Sequence, residues 1–429
     1  MTSGPFVSSY FSNHMLTPRR RFVLLVLIFS VFCRVSEAQE WTRFRGPNGS
    51  GISDAKTVPV EWNEKEYNWV TDLPGRGHSS PVIWGEKLFV TSCDEESVTR
   101  HLLCINTRNG TEAWSTDLKF ASYKKHKNNS YASSTPCVDE NFVYVVWHSK
   151  RSSPLIAFDH EGNKVWEYEL GPYLHGQGGA ASPIVYGDLV IMAHDQKQPS
   201  FLLAVDRKTG EERWKIPRAG KRACYATPCV FAAGGRPEEL VFSHCYEGII
   251  GVDPKTGQQT WHIDVFGRAS QRALGSPVLT DDLVIATSGG VGGERQLVAV
   301  KPAGSGTNAE AGEAYRTNRQ APHVPTPLVY GDWLFMWSDQ GIASCLDKST
   351  GKVIWQKRVG GNYFSSPICI DGKLYCIDLD GNVVVIAASD QYKLLAKNSL
   401  GEPSKATPAV SGGRLYLRTE SRLHSIGGP

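Results

Sequence analysis

Short apolar runs alternate with tight polar turns along most of this chain. The segments PVIWGEKLFVTS (81–92), PIVYGDLVIMA (183–193), PLVYGDWLFMW (327–337) and PICIDGKLYCID (367–378) each open on proline. Each then reads as strand, two-residue turn and strand, with proline tolerated at the first strand position. A third apolar run and a tryptophan-bearing strand follow. They are joined by links such as AVDRKTGEERW (204–214), GVDPKTGQQTW (251–261), CLDKSTGKVIW (345–355) and CINTRNGTEAW (104–114), while AFDHEGNKVW (157–166) is one residue shorter. The Asp and Gly of these links supply turn chemistry.

The unit recurs. Ser/Thr-Pro pairs stand at Ser80, Thr135, Ser182, Thr227, Ser276, Thr326, Ser366 and Thr407, spaced by 40 to 55 residues. That period matches one four-stranded propeller blade. The docking position after each link is held by Trp69, Trp114, Trp166, Trp214, Trp261 and Trp355, with Tyr315 and Leu395 standing in twice. Trp69 precedes the first Ser/Thr-Pro pair, and about three strands follow the last one. The count closes if residues 68–73 supply the outer strand of the last blade, sealing the ring and leaving no free edge at the junction. The expected fold is therefore all-β: an eight-bladed propeller of four-stranded antiparallel blades over residues 66–429.

The pattern A-x-D-x-x-T-G-x-x-x-W resembles the tryptophan-docking motif of pyrroloquinoline-quinone (PQQ) dehydrogenase-like propellers. The opening WTRFRGPNGSG (41–51) is similar to the start of exported bacterial PQQ-repeat proteins. The resemblance covers residues 66–429. It implies a propeller shared by two functional classes, the quinoprotein dehydrogenases and non-catalytic relatives such as the outer-membrane-assembly lipoprotein. Fold alone does not choose between them.

Arg19, Arg20 and Arg21, the apolar run 22–33 and Ser36-Glu37-Ala38 read as a signal peptide over residues 1–38, with an N-terminal extension over 39–65. The apolar run is too short to span a bilayer as a helix. The whole chain carries 46 basic and 43 acidic residues. Removing the leader takes away four Arg and one Glu, so the exported chain is formally neutral. Neither nucleic acid nor an anionic membrane surface is called for. The expectation is a periplasmic or secreted monomer.

In a propeller, the loops before the first strand of each blade rim the central funnel. The polar and aromatic residues they carry are the candidates for ligand binding: His78, Tyr131, His175, Gln177, Arg222, Tyr225, Arg272, His323, Tyr363 and Lys405. His148, His194 and His244 end the second strands of blades two to four and are the weak candidates for a metal. The spacing between blades argues against their sharing one ion. Cys224 and Cys245 are the one plausible disulfide.

The dehydrogenase resemblance implies two adjacent cysteines beside the quinone and a calcium held by carboxylates. The chain has no Cys-Cys pair, and these loops contain one carboxylate, Glu402. Calcium wants several oxygen ligands. The expectation is therefore a non-catalytic scaffold without cofactor that binds a protein, peptide or small ligand. The alternatives are a funnel-sited oxidoreductase using PQQ with calcium, and a carbohydrate-binding or carbohydrate-processing propeller, for which Tyr131, Tyr225 and Tyr363 speak. Asp339 and Asp378, at second-strand ends, are the carboxylates that a glycosidase could use.

Overall fold

The computed structural model describes residues 1, 41–197, 199–220, 222–233, 235–267, 272–290, 294–303 and 310–428. The expected leader falls almost wholly outside the described residues. Among these residues the chain forms eight sheets arranged as blades of four antiparallel strands, with almost no helix; the seventh carries a fifth, parallel strand, Ile52–Ser53, against its innermost strand Ile368–Ile370. Blade one is Val82–Trp84, Lys87–Asp94, Thr99–Asn106 and Glu112–Lys119, in that spatial order. Blades two to seven repeat the order of consecutive strands.

Blade eight is the junction. Its inner strands are Ala409–Ser411, Arg414–Arg418 and Arg422–Gly427, and its outer strand is Tyr67–Asp72 from the other end of the chain. Trp69 pairs with Ser425 and Thr71 with Leu423. The ring thus closes by hydrogen bonding between the termini, as the strand count requires.

Burial explains the composition of each strand. The middle strands, such as Leu189–His194 and Ser200–Asp206, are buried on both faces because blades pack against blades on either side. Outer strands alternate: Glu112–Lys119 exposes every second residue. In most blades the aromatic residue of the outer strand hydrogen-bonds to the next blade. Trp69 Nε1 donates to the Thr107 carbonyl at 3.0 Å, Trp114 to His160 at 2.9 Å, Trp166 to Arg207 at 2.9 Å and Trp214 to Pro254 at 2.8 Å. Tyr315 does the same through its hydroxyl to Lys348, and Trp355 reaches Ser389, both at 2.9 Å. The link glycine sits flat on the preceding indole: a Cβ on Gly210 would lie 2.7 Å from the Trp166 ring.

Two positions depart from the repeat. Trp261 donates instead to the Glu239 carboxylate of its own blade, at 3.0 Å. In blade seven the docking register belongs to Ala396, not Leu395. The outer strand of every blade bulges one residue before the docking position, and here the bulge falls on Leu395, leaving Ala396 opposite Val385 as Trp355 is opposite Cys345. The link from the third strand is one residue longer, which shifts the count.

The Ser/Thr-Pro hydroxyls form a belt. The backbone amide of Ser80 donates to Thr135 Oγ1, Thr135 to Ser182 Oγ, Thr227 to Ser276 Oγ, Ser276 to Thr326 Oγ1 and Thr326 to Ser366 Oγ, all at 3.0 Å, and Ser366 to Thr407 Oγ1 at 2.9 Å. The hydroxyl is needed because the first strand lies nearest the axis, where no further strand can accept its amide.

The stretch 41–51 crosses one end of the ring. The Trp41 and Thr42 carbonyls accept from Ile83 and Val138 in blades one and two, both at 2.9 Å. Arg43 donates to the Pro228 carbonyl of blade four, and Arg45 to Pro367 of blade seven at 3.1 Å. Two residues that far apart around the ring, yet adjacent but one in sequence, place this segment across the axis. Both guanidiniums are fully buried, and burial lowers them, Arg43 to about 10 and Arg45 to about 9, so both remain charged at neutral pH. Residues 41–51 are thus a floor to the channel.

Candidate functional site

Opposite that floor the funnel opens as a cavity of about 870 Å³. Its wall is built from the loops before each first strand and the ends of second strands, and Phe44 from the crossing segment lines it as well. The belt positions Ser80, Thr135, Ser182, Thr227, Thr326, Ser366 and Thr407 face it.

Seven of the ten candidate residues meet there: His78, Gln177, Arg222, Tyr225, Arg272, His323 and Lys405. Tyr131, His175 and Tyr363 do not line the cavity. Tyr131 is packed between Phe120 and Tyr123, each at 4.9 Å, and its hydroxyl donates to the Tyr123 carbonyl at 2.6 Å. His175 is buried, and its Nδ1 accepts from the Gln177 amide at 3.3 Å. Tyr363 is fully buried against Trp337, with ring centroids 5.4 Å apart. A loop residue's side chain turns to whichever side offers apolar contact, which position along the loop does not reveal. Tyr225 is the one member of the aromatic set at the cavity. Its hydroxyl donates to the Gly178 carbonyl at 2.5 Å.

The electrostatics are one-sided. Arg222, Arg272, Arg295 and Lys405 line the cavity against one carboxylate among the described residues, Asp339. Asp339 is fully engaged: it accepts from Arg295 at 3.0 Å, from the His323 amide at 2.8 Å and from the Val324 amide at 3.2 Å. Arg222 Nε donates to the Tyr246 hydroxyl at 3.0 Å, and Lys405 stands 3.7 Å from Glu420. Burial, and then the charge of Lys405, holds His78 well below its ordinary value, so it is neutral at pH 7. Burial also lowers His323. Arg295 and Phe44 were not legible as cavity residues, because they lie outside the loops before the first strands, whereas Asn129 lies in such a loop and was not singled out.

The donor set does not fit PQQ with calcium. One carboxylate, already satisfied by a guanidinium and two amides, leaves no oxygen cage for a hard cation. Nor do the described residues of the cavity include paired carboxylates for glycoside chemistry. Asp378, the other candidate, is buried and spends its oxygens on its own turn, accepting from Asp380 N at 3.0 Å and Asn382 N at 2.8 Å.

The three weak metal candidates separate into two groups. His148 and His194 lie with ring centroids 5.8 Å apart in the packed wall; burial lowers both, His194 to about 4. His244 instead neighbours two thiols. Cys224 and Cys245, expected as a disulfide, do meet, but as free thiols with sulfurs 3.3 Å apart.

The family described as outer membrane protein assembly factor BamB matches residues 62–225, 237–357 and 317–426. BamB of Moranella endobia (strain PCIT) is 24% identical over 289 residues, 62% of this chain and 69% of that protein. The crystal structure of BamB from Moraxella catarrhalis superposes with a TM-score of 0.60 at 17% identity, over 83% of this chain and 97% of that one. A europium-containing methanol dehydrogenase superposes with a TM-score of 0.65 at 11% identity, over 89% and 90%. Likeness at that identity shows the shared propeller and no more. Since the matched segments run through nearly all of the propeller, this chain belongs to the BamB family of PQQ-like repeat proteins.

Proposed function

We propose that this protein is an exported, non-catalytic scaffold whose funnel binds an acidic segment of a partner protein. The observation that carries this is the cavity wall, lined by four cationic side chains and one carboxylate: Arg295 is spent on Asp339 and Lys405 stands near Glu420, and Arg222 and Arg272 supply the excess positive charge. The exported chain is formally neutral, so this positive charge is local. A concave site of one sign focuses field lines and steers oppositely charged ligands. A volume near 870 Å³ is the size of a ligand pocket, and it would take a few residues of an extended peptide. Membership of a family of assembly factors supports partner binding over turnover, and the lining fits neither a redox cofactor nor paired acid-base carboxylates. The leader-like N-terminus supports export. Among the described residues no helix is long and apolar enough to cross a membrane.

The test is fluorescence anisotropy with labelled acidic, neutral and basic peptides of equal length. The acidic peptide should bind, weaken as salt rises, and lose at least tenfold in affinity to the Arg222→Glu/Arg272→Glu variant. Equal binding of all three peptides, or an unchanged affinity in that variant, would sink the reading.

A further inference from the structure

Behind the funnel wall of blade four, three soft ligands converge. Cys224 precedes the first strand, Cys229–Phe231, while His244 ends the second, Glu239–His244, and Cys245 follows it. Their ligand atoms all lie within 4.8 Å of one another, and all three residues are buried. The sulfurs are 3.3 Å apart. The His244 ring rests on Gly220, where a Cβ would come within 2.4 Å of Nε2, and the imidazole is buried beside the Cys224 thiol.

We propose that Cys224, His244 and Cys245 form a binding site for one thiophilic d10 ion, Zn(II) or Cu(I). Two thiolates and an imidazole suit such ions, whereas hard cations would want oxygens. Metal–sulfur bonds of about 2.3 Å need sulfurs roughly 3.8 Å apart at a tetrahedral angle, so the pair opens by about half an ångström on binding. The Tyr246 amide donates to His244 Nδ1 at 3.1 Å. Ligation through Nε2 moves the ring proton to Nδ1 and turns this amide away. Tyr246 lies in the turn after the strand, where such a rotation breaks no ladder pairing.

Nearby, the buried Arg218 pairs with Asp195 at 3.4 Å and with Glu247 at 2.8 Å, so these carboxylates are already engaged and the ion's ligands are the two sulfurs and the imidazole. The other described cysteines are also buried, but no other group of three such ligands is found among the described residues. Binding stiffens the loop that carries Arg222 and Tyr225, since Cys224 stands between them.

The experiment uses the fully reduced exported chain under native conditions, with Zn(II) and Cu(I) offered separately and uptake read by elemental analysis and competition with a chelator. One equivalent of either ion should bind. Cys224→Ser and Cys245→Ser should lose it, and His244→Ala should weaken it at least tenfold, each variant being checked for a cooperative melt. Should a variant fail to fold, Co(II) added to the unaltered protein gives a second readout, a sulfur-to-cobalt absorption band. No uptake of either ion, full retention in both cysteine variants, or Co(II) uptake without that band would overturn the proposal.

Discussion

Arg418 of the last blade donates through Nη1 to the carbonyl of Ser79 in the loop entering the first, at 3.1 Å, and to the Ser79 hydroxyl at 2.6 Å. The same nitrogen reaches the Thr91 carbonyl at 2.6 Å. Arg418 is fully buried, and burial lowers it to about 9, leaving it charged at neutral pH. The junction between the last blade and the first therefore has a second fastening, nearer the axis. Arg418→Met should remove three hydrogen bonds, leaving the Thr91 carbonyl with the Ser79 hydroxyl as a donor at 3.2 Å, and cost roughly 2–4 kcal/mol. Urea unfolding measures it; a loss below half a kilocalorie would show that the strand pairing alone holds the ring shut.

The hydroxyl belt makes a narrower prediction. Thr135→Val keeps shape but leaves the Ser80 amide without its acceptor at a buried position. The expected cost is about 1–3 kcal/mol. Hydrogen exchange at the Ser80 amide should accelerate more than at amides of the outer strands. Uniform acceleration would mean that the link is not local.

Gly210 has φ of +74°, and a Cβ there would meet the Trp166 ring. Gly210→Ala combines backbone strain with a displaced indole, and a loss of about 2 kcal/mol is expected. Gly187, at φ +53° with open space around its Cβ, isolates the strain alone, so Gly187→Ala should cost less. Equal losses at the two positions would remove the contact with the indole from the explanation.

Acid should destabilise the propeller between pH 6.5 and 4. Burial lowers His175, His194 and His424 to about 4. Below pH 6.5 the unfolded chain takes up protons that the folded chain refuses, so stability falls as pH falls through this window and the effect levels off near pH 4. The upper bound is about 1.4 kcal/mol per histidine per pH unit, less for the more exposed His175. His194→Gln should flatten the slope of melting temperature against pH; an unchanged slope would assign the acid sensitivity to carboxylates.

Much of the architecture is readable before folding because a propeller repeats its local requirements. Ser/Thr-Pro marks each innermost strand since the hydroxyl must accept a neighbour's amide and the proline need not donate one. Trp69, standing before the first repeat, betrays the closing strand. Leu395 shows where counting fails: one extra residue in the link moves the docking position to Ala396, and only strand register reveals it. Tyr131 and Tyr363 show the same limit at the site. Their place on funnel loops is periodic, but the side to which their rings turn depends on neighbours such as Phe120 and Trp337.

The sequence by itself determined the number of blades, their strand order and the pairing of the two ends. Those follow from contacts between neighbours in a repeat, which leave a periodic trace. Tertiary structure alone decided that residues 41–51 floor the channel, that Arg295 and Asp339 meet in its wall, and that Cys224, His244 and Cys245 converge. Each of these depends on where ring closure brings parts that no period relates: Arg43 reaches Pro228 across the axis, 185 residues away in the chain.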